Sequence, residues 1–220
     1  MWIPFYKLIK NPLCSSPLNF ANRMLDMAYL LGTPLTYLHE RKGALFHKIW
    51  AHPEKTNEPS TLGSGVPLGF HTEMAFHSIK PSYIMLYCVS KGQIGTTTDV
   101  VIVDNVLESM TLREKRLLME PLYKIYPPVS YQQKYPKPDW TPLLYNRQVH
   151  RLVLADHCKM EFKQPRAFHV YQRLLQVCNE QKKSIMLDPG DTLIINNTAT
   201  LHGRNAYVDP ARILCRLYIW

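Results

Sequence analysis

The sequence predicts a mainly β domain with flanking helices, a double-stranded β-helix of the jelly-roll, cupin-like barrel kind. Three observations carry the prediction. Short strand-like apolar runs recur along the chain, separated by polar or proline-rich insertions, as in all-β architectures with long connections. Only a few segments show helical spacing. His71-Thr72-Glu73 and a lone His202, 131 residues further on, are residue types that gather around a metal, and they meet only if distant strands lie side by side at one open end of a barrel. Periodicity does not fix the strand order.

The elements follow in chain order. Residues 1–33 form an N-terminal helical segment. Within it, Ser15 to Leu31 has serine caps, an early Pro17 and Gly32 just past its end, with Phe20, Met24, Met27, Tyr29, Leu30 and Leu31 at mostly helical spacing. This helix is expected outside the core. Leu45 to Trp50 reads as a strand leading into the polar loop Pro53 to Ser64, which ends near His71 and lines the substrate entrance. Tyr83 to Val89 and Val100 to Val103 read as strands, and Asp104 to Met119 as one helix through Val106, Leu107, Met110, Leu117 and Leu118. Residues 123–145, with Pro127-Pro128, Pro136, Pro138 and Pro142, cannot form a regular central element and read as a lid or insertion over one barrel mouth. Val149 to Ala155 is the next strand. Ala167 to Gln181 is a helix through Val170, Leu174, Leu175 and Val177.

Composition bounds the class. The 220 residues suit one domain with a substantial core, residues 1–220, and 46% apolar against 20% charged content is globular. Five scattered cysteines without C-x-x-C spacing argue against a disulfide framework or zinc knuckle and for a reducing compartment. The N-terminus lacks a signal-peptide pattern, and no stretch approaches a membrane span. A cytoplasmic protein without membrane partners is expected. The net charge of +9 is dispersed over Arg41-Lys42, Arg113 to Arg116 and Lys182-Lys183. It reads as a solvated basic surface that also attracts an anionic co-substrate, in preference to a nucleic-acid interface.

The chemistry lies in the His/Glu set. In an extended segment, residues two apart point to one face, as two ligands of one metal must. Two imidazoles and a carboxylate hold non-haem Fe(II) by one face and leave positions for a co-substrate and dioxygen. The third ligand has to come from a neighbouring strand. The turn Asp188-Pro189-Gly190-Asp191 and the buried strand Leu193-Ile194-Ile195 run into an irregular stretch, Asn197 to Arg204, that carries His202. Fourteen residues later Arg216 lies in the strand-like run Arg212 to Trp220. A buried arginine needs an anion, and a carboxylate matches its fork.

The metal dyad, the Asp-Pro-Gly-Asp turn, Asn-x4-His-Gly-Arg and the arginine fourteen residues on occur in the order of one family. From about Pro34 onward the chain resembles the clavaminate synthase-like branch of the Fe(II)- and 2-oxoglutarate-dependent oxygenases, relatives of taurine dioxygenase. The resemblance implies His71, Glu73 and His202 as iron ligands and Arg216 as the clamp on the far carboxylate of 2-oxoglutarate. It implies a threonine beside that carboxylate, Thr98, or Thr97 after a one-residue shift. Dioxygen is the second co-substrate, succinate and CO2 are products, and hydroxylation of an unactivated C–H bond is the default outcome. The substrate class is an amino acid or derivative, with arginine-like favoured.

The resemblance also nominates substrate contacts. Asp156 falls where arginine hydroxylases place an acid for the guanidinium, although a loop aspartate fits equally well. Thr61 sits near a position that touches the amino acid. Those enzymes carry a second arginine four residues beyond Arg216, where this chain has Trp220. The substrate is therefore either not a free α-amino acid, or its carboxylate is held elsewhere, with Arg204 and Arg212 as candidates. Carrier-bound, peptidyl or other macromolecular substrates stand as the alternative, and a non-catalytic metal-binding barrel as a third reading. Other residues have structural readings: His77 as a hydrogen-bonded strand-end histidine, Asp191 as a turn residue, and Asn197 as an amide orienting the metal loop.

Overall fold

Residues Tyr83–Lys91 turn Ile84, Leu86 and Cys88 to one side and Tyr83, Met85 and Tyr87 to the other, and all six are buried. A strand covered on both faces requires layers above and below it. The computed structural model describes residues 1–10, 17–36, 43–51, 66–128, 137–145, 151–205 and 209–220. Its elements are β1 (Tyr6–Ile9), α1 (Pro17–Tyr29), β2 (His47–Ile49), β3 (Leu68–His71), β4 (Tyr83–Lys91), β5 (Thr98–Ile102), α2 (Val103–Glu108), α3 (Leu112–Met119), β6 (Tyr123–Ile125), β7 (Met160–Phe162), α4 (Pro165–Gln181), β8 (Lys183–Ile185), β9 (Thr192–Asn196), β10 (Thr200–Arg204) and β11 (Arg212–Ile219).

Two antiparallel sheets result, a five-stranded one in the order β1-β9-β4-β11-β2 and a four-stranded one in the order β3-β10-β5-β8, with β6 and β7 paired separately. Their inner faces share a core in which Ile84, Leu86, Leu193, Ile195 and Leu214 meet Val100 and Ile185. Helix α1 covers the outer face of the larger sheet, where Met24 and Ala28 meet Met85, Ile194 and Leu217, and Phe20 stacks on Tyr87 at 4.8 Å. Helices α2 and α4 cover the smaller sheet through Val106, Leu107, Val170, Leu174 and Val177 against Val101 and Leu201. Burying each of these aliphatic side chains stabilises the fold by roughly 1.5–3 kcal/mol.

The mainly β class with flanking helices is as expected. A closed barrel is not formed among the described residues: each sheet ends on strands of three or four residues, β1 and β2 or β3 and β8, and no ladder joins one sheet to the other. The expected helix over 104–119 is two helices. The first ends at Glu108 with Ser109 as its C-cap, and Thr111 caps the second, its hydroxyl accepting from Glu114 N–H while the Glu114 carboxylate accepts from Thr111 N–H, a capping box. Val149 to Ala155 is not a strand where described, and holds only the isolated bridges Leu144 to Leu152 and His71 to Ala155. In the 123–145 segment, Tyr123, Ile125, Leu143 and Leu144 are buried in the helix-side core, while 129–136 lie outside the described residues, as does the loop Pro53 to Ser64. No helix is long and apolar enough to cross a membrane among the described residues.

Candidate metal centre

Antiparallel pairing puts His202 of β10 opposite His71 of β3, their ring centroids 4.1 Å apart. The expected irregular stretch at His202 is a regular strand whose alternation sends Leu201 to the helix-side core. The register breaks immediately after, since Arg204 pairs with Leu68. Gly203 permits this close approach: a Cβ there would lie 2.8 Å from the Leu68 carbonyl oxygen.

Glu73 reaches the histidines by a different route from the extended one expected. β3 stops at His71, and the chain enters a turn in which Met74 has φ 56°. Asn197 fixes that turn, its Oδ1 accepting from Glu73 N–H at 2.8 Å and its Nδ2 donating to the carbonyls of Glu73 (3.3 Å) and Pro81 (2.9 Å). Ligand atoms of His71, Glu73 and His202 consequently lie within 4.8 Å of one another, with His202 Nε2 3.5 Å from Glu73 Oε2.

The protonation states suit a cation. Burial lowers the His71 pKa well below its ordinary value, and the neighbouring His202 and His157 add to this, so the ring is neutral. Its Nδ1–H donates to the Gly69 carbonyl at 3.0 Å, which leaves the Nε2 lone pair for a metal. Burial alone would raise the Glu73 carboxyl, but Arg216, the His202 hydrogen bond and His71 outweigh it and hold the group well below the usual carboxylate range. A buried, ionised carboxylate beside two imidazoles is a donor set that fits a divalent transition metal.

Arg216 projects from β11 into the same space, its Nη1 3.4 Å from both Glu73 oxygens. Sequence reasoning missed three neighbours. Tyr218, two residues on and on the same strand face, donates its phenol to Glu73 Oε1 at 3.0 Å, and its ring lies 4.5 Å from the Arg216 guanidinium carbon. Strand parity made Tyr218 findable. His47 of β2 sits 3.3 Å from Arg216 Nη2 through Nδ1, a long-range contact with no local signal. His157 packs edge-on to His71 at 4.6 Å, and burial chiefly lowers its pKa to about 4.

The remaining expected residues scatter more widely. Thr98 is buried and shares the inward parity of Val100, pairing with Arg204 across β10, whereas Thr97 donates to Asp99 at 3.2 Å on the other side. Asp156 is exposed beside the dyad strand; its Oδ1 accepts from Tyr171 OH at 2.7 Å, and its backbone N–H bonds Phe70 O at 3.1 Å. Arg204 donates to Val66 O at 3.0 Å. Arg212 shares the inward parity of Arg216 but lies four residues along β11, roughly 13 Å at the usual strand rise, and pairs with Lys91. Thr61 lies outside the described residues. His77 bonds locally, Nδ1 to Ile79 O at 2.7 Å, and Asp191 closes its turn by accepting from Asp188 N–H at 2.9 Å.

The chain is 28% identical over 187 residues to the L-asparagine oxygenase of Streptomyces coelicolor, covering 84% of this chain and 55% of that protein. It is 24% identical over 203 residues to the L-lysine 3-hydroxylase of Catenulispora acidiphila, covering 86% and 55%. It thus spans about half the length of these curated relatives. The structure of asparagine oxygenase in complex with Fe(II), 2S,3S-3-hydroxyasparagine and succinate superposes with a TM-score of 0.82 at 25% identity, covering 90% of this chain and 64% of that one. The match to the family described as taurine catabolism dioxygenase TauD, TfdA runs from residue 8 to residue 218, further toward the N-terminus than the sequence motifs reach, and the chain belongs to that family.

Proposed function

We propose that this chain provides the catalytic site of an Fe(II)- and 2-oxoglutarate-dependent dioxygenase that hydroxylates an unactivated C–H bond of an amino acid or amino-acid derivative, releasing succinate and CO2. The observation that carries the reading is the convergence of His71, Glu73 and His202 with Arg216 held beside them. His71, Glu73 and His202 would hold Fe(II), which when bound supplies the oxidising chemistry with O2. Arg216, with Thr98, pairs with the far carboxylate of 2-oxoglutarate. The two sheets form the walls of a double-stranded β-helix, with His71 on β3, Glu73 on the turn after it, Thr98 on β5, His202 on β10 and Arg216 on β11 facing the space between them.

Substrates with a cationic side chain, arginine-like or lysine-like, are favoured because the Asp156 carboxylate stands beside Gly69, two residues before His71. The lysine hydroxylase among the relatives agrees with that class. Arg204, paired with Thr98 across β10 and β5, is the nearer candidate for a substrate carboxylate, and Arg212 the more distant one. Four described cysteines are free thiols, which suits the cytoplasm.

The test is succinate formation from 2-oxoglutarate by anaerobically reconstituted Fe(II) protein given oxygen and a panel led by arginine, with asparagine, lysine and peptide forms. Stimulation by one member with a +16 mass product establishes the activity. Binding of iron and 2-oxoglutarate without stimulation by any free amino acid redirects the reading to tethered substrates, and absence of 2-oxoglutarate binding sinks it.

A further inference from the structure

Arg216 is close to Glu73 but does not close on it. Both Nη1 to carboxylate distances are 3.4 Å, against about 2.7–2.9 Å for a full charge-assisted pair. A fork closed onto Glu73 would compete with a metal for the carboxylate lone pairs and leave fewer donors for any second anion. Two buried rings contact the guanidinium, one at its face and one at Nη2. Tyr218 underlies it at 4.5 Å, and His47 meets Tyr218 edge-on at 5.4 Å while its Nδ1 lies 3.3 Å from Nη2.

The tautomer of His47 follows from its contact with Ala44. Nε2 is 2.7 Å from the Ala44 carbonyl oxygen, which can only accept, so Nε2 carries the proton and Nδ1 presents a lone pair to Arg216. Because guanidinium nitrogens are donors only, this polarity is the one arrangement that satisfies both ends. His47 is 1% exposed and is Cα-paired with Arg216 across β2 and β11, so the contact is built into the sheet.

We infer that His47 is a positioning residue: as an acceptor on Nη2 it holds the Arg216 guanidinium back from Glu73 and in the orientation that receives the far carboxylate of 2-oxoglutarate. This rests on the function proposed above.

Two isosteric substitutions separate this role from a merely structural one. In His47→Asn, Oδ1 occupies the place of Nδ1 and keeps the acceptor for Arg216, whereas in His47→Gln, Nε2 occupies the place of the ring Nε2 and keeps the donor for Ala44. The readout is the anaerobic Kd for 2-oxoglutarate on Fe(II) protein, with Fe(II) affinity and melting temperature measured alongside. The inference expects His47→Gln and His47→Phe to weaken 2-oxoglutarate binding about tenfold or more, the scale of a hydrogen bond to a charged group, and His47→Asn to stay within about threefold of wild type on the same scale. Equal Kd values for Asn and Gln, or the reverse order, overturn the positioning role while leaving the proposed function in place. Failure of the wild-type protein to bind 2-oxoglutarate overturns both. If His47→Phe does not fold, the Asn and Gln pair decides.

Discussion

Asn197 grips the peptide units of Glu73 from both sides, accepting from its N–H at 2.8 Å and donating to its C=O at 3.3 Å, and is itself 2% exposed. The carboxylate of the proposed metal site hangs from a turn, not a strand, so its position depends on this one amide. Asn197→Ala leaves a buried N–H unsatisfied, costing about 1–3 kcal/mol, and frees the turn. Fe(II) affinity should fall about 10- to 100-fold, as for other residues that orient metal ligands, while the protein stays folded. Calorimetric metal titration beside a thermal melt checks this; unchanged iron affinity removes Asn197 from the site.

The triad predicts a sharper outcome. His202→Ala should abolish iron-dependent turnover without unfolding the chain. Glu73→Ala should do the same, but it also strips the buried Arg216 of its anion, a class of change that costs about 3–5 kcal/mol. Glu73→Gln keeps the shape but removes the same charge, so both variants are read beside a thermal melt. Arg216→Ala should mainly weaken 2-oxoglutarate binding and leave iron bound. Turnover retained by iron-loaded His202→Ala protein would falsify the ligand set.

Buried thiols contribute to the alkaline loss of stability, beside the buried phenols of Tyr123 and Tyr171, which burial also raises. Burial raises Cys88 and Cys215 to about 11, and Cys158 and Cys178 to about 12, from an ordinary 9.0. A group with a raised folded-state pKa binds more protons folded than unfolded between the two values, so its stabilisation is complete below pH 9 and is lost as pH rises through 11–12. The melting temperature should hold to about pH 9 and then fall steadily. In Cys178→Ala that fall should be shallower, even though the variant starts lower. Equal alkaline slopes for the two proteins overturn this account.

What the sequence disclosed and what it hid divide along physical lines. His71 and Arg216 were legible because each sits on a strand whose alternation fixes its direction, whereas His202 was expected on an irregular stretch and lies on β10. Glu73 was expected beside the histidines through an extended segment, whereas the structure brings it there through a turn, since two-residue spacing fits a tight turn as well as a strand. The break at Thr111 was present in the sequence as Thr-x-x-Glu, outweighed by continuous apolar spacing on either side of it. β1, β6, β7 and β8 are three or four residues long and have too few alternations to stand out, so their existence is decided by long-range pairing. His47 belongs to that same class: its partner is 169 residues away, and no local pattern announces it.

Gly69 offers the most discriminating test of the substrate side. A Cβ at this position would lie 2.2 Å from Asp156 Oδ2 and 2.8 Å from its Cβ and Cγ, while Tyr171 and Phe70 hold Asp156 in place. In Gly69→Ala something must move. Asp156 is exposed and yields more easily than β3, which is pinned by its pairing with β10. The variant should therefore lose the Tyr171 to Asp156 bond and about 1–2 kcal/mol of stability, keep its iron, and show a higher KM for an arginine- or lysine-like substrate. Adding Asp156→Gly should restore the melting temperature by removing the collision, but should not restore the KM, because the carboxylate itself is gone. If iron binding fails instead, β3 has moved and taken the Gly69 carbonyl away from His71 Nδ1; if KM is unchanged in every variant, Asp156 does not meet the substrate.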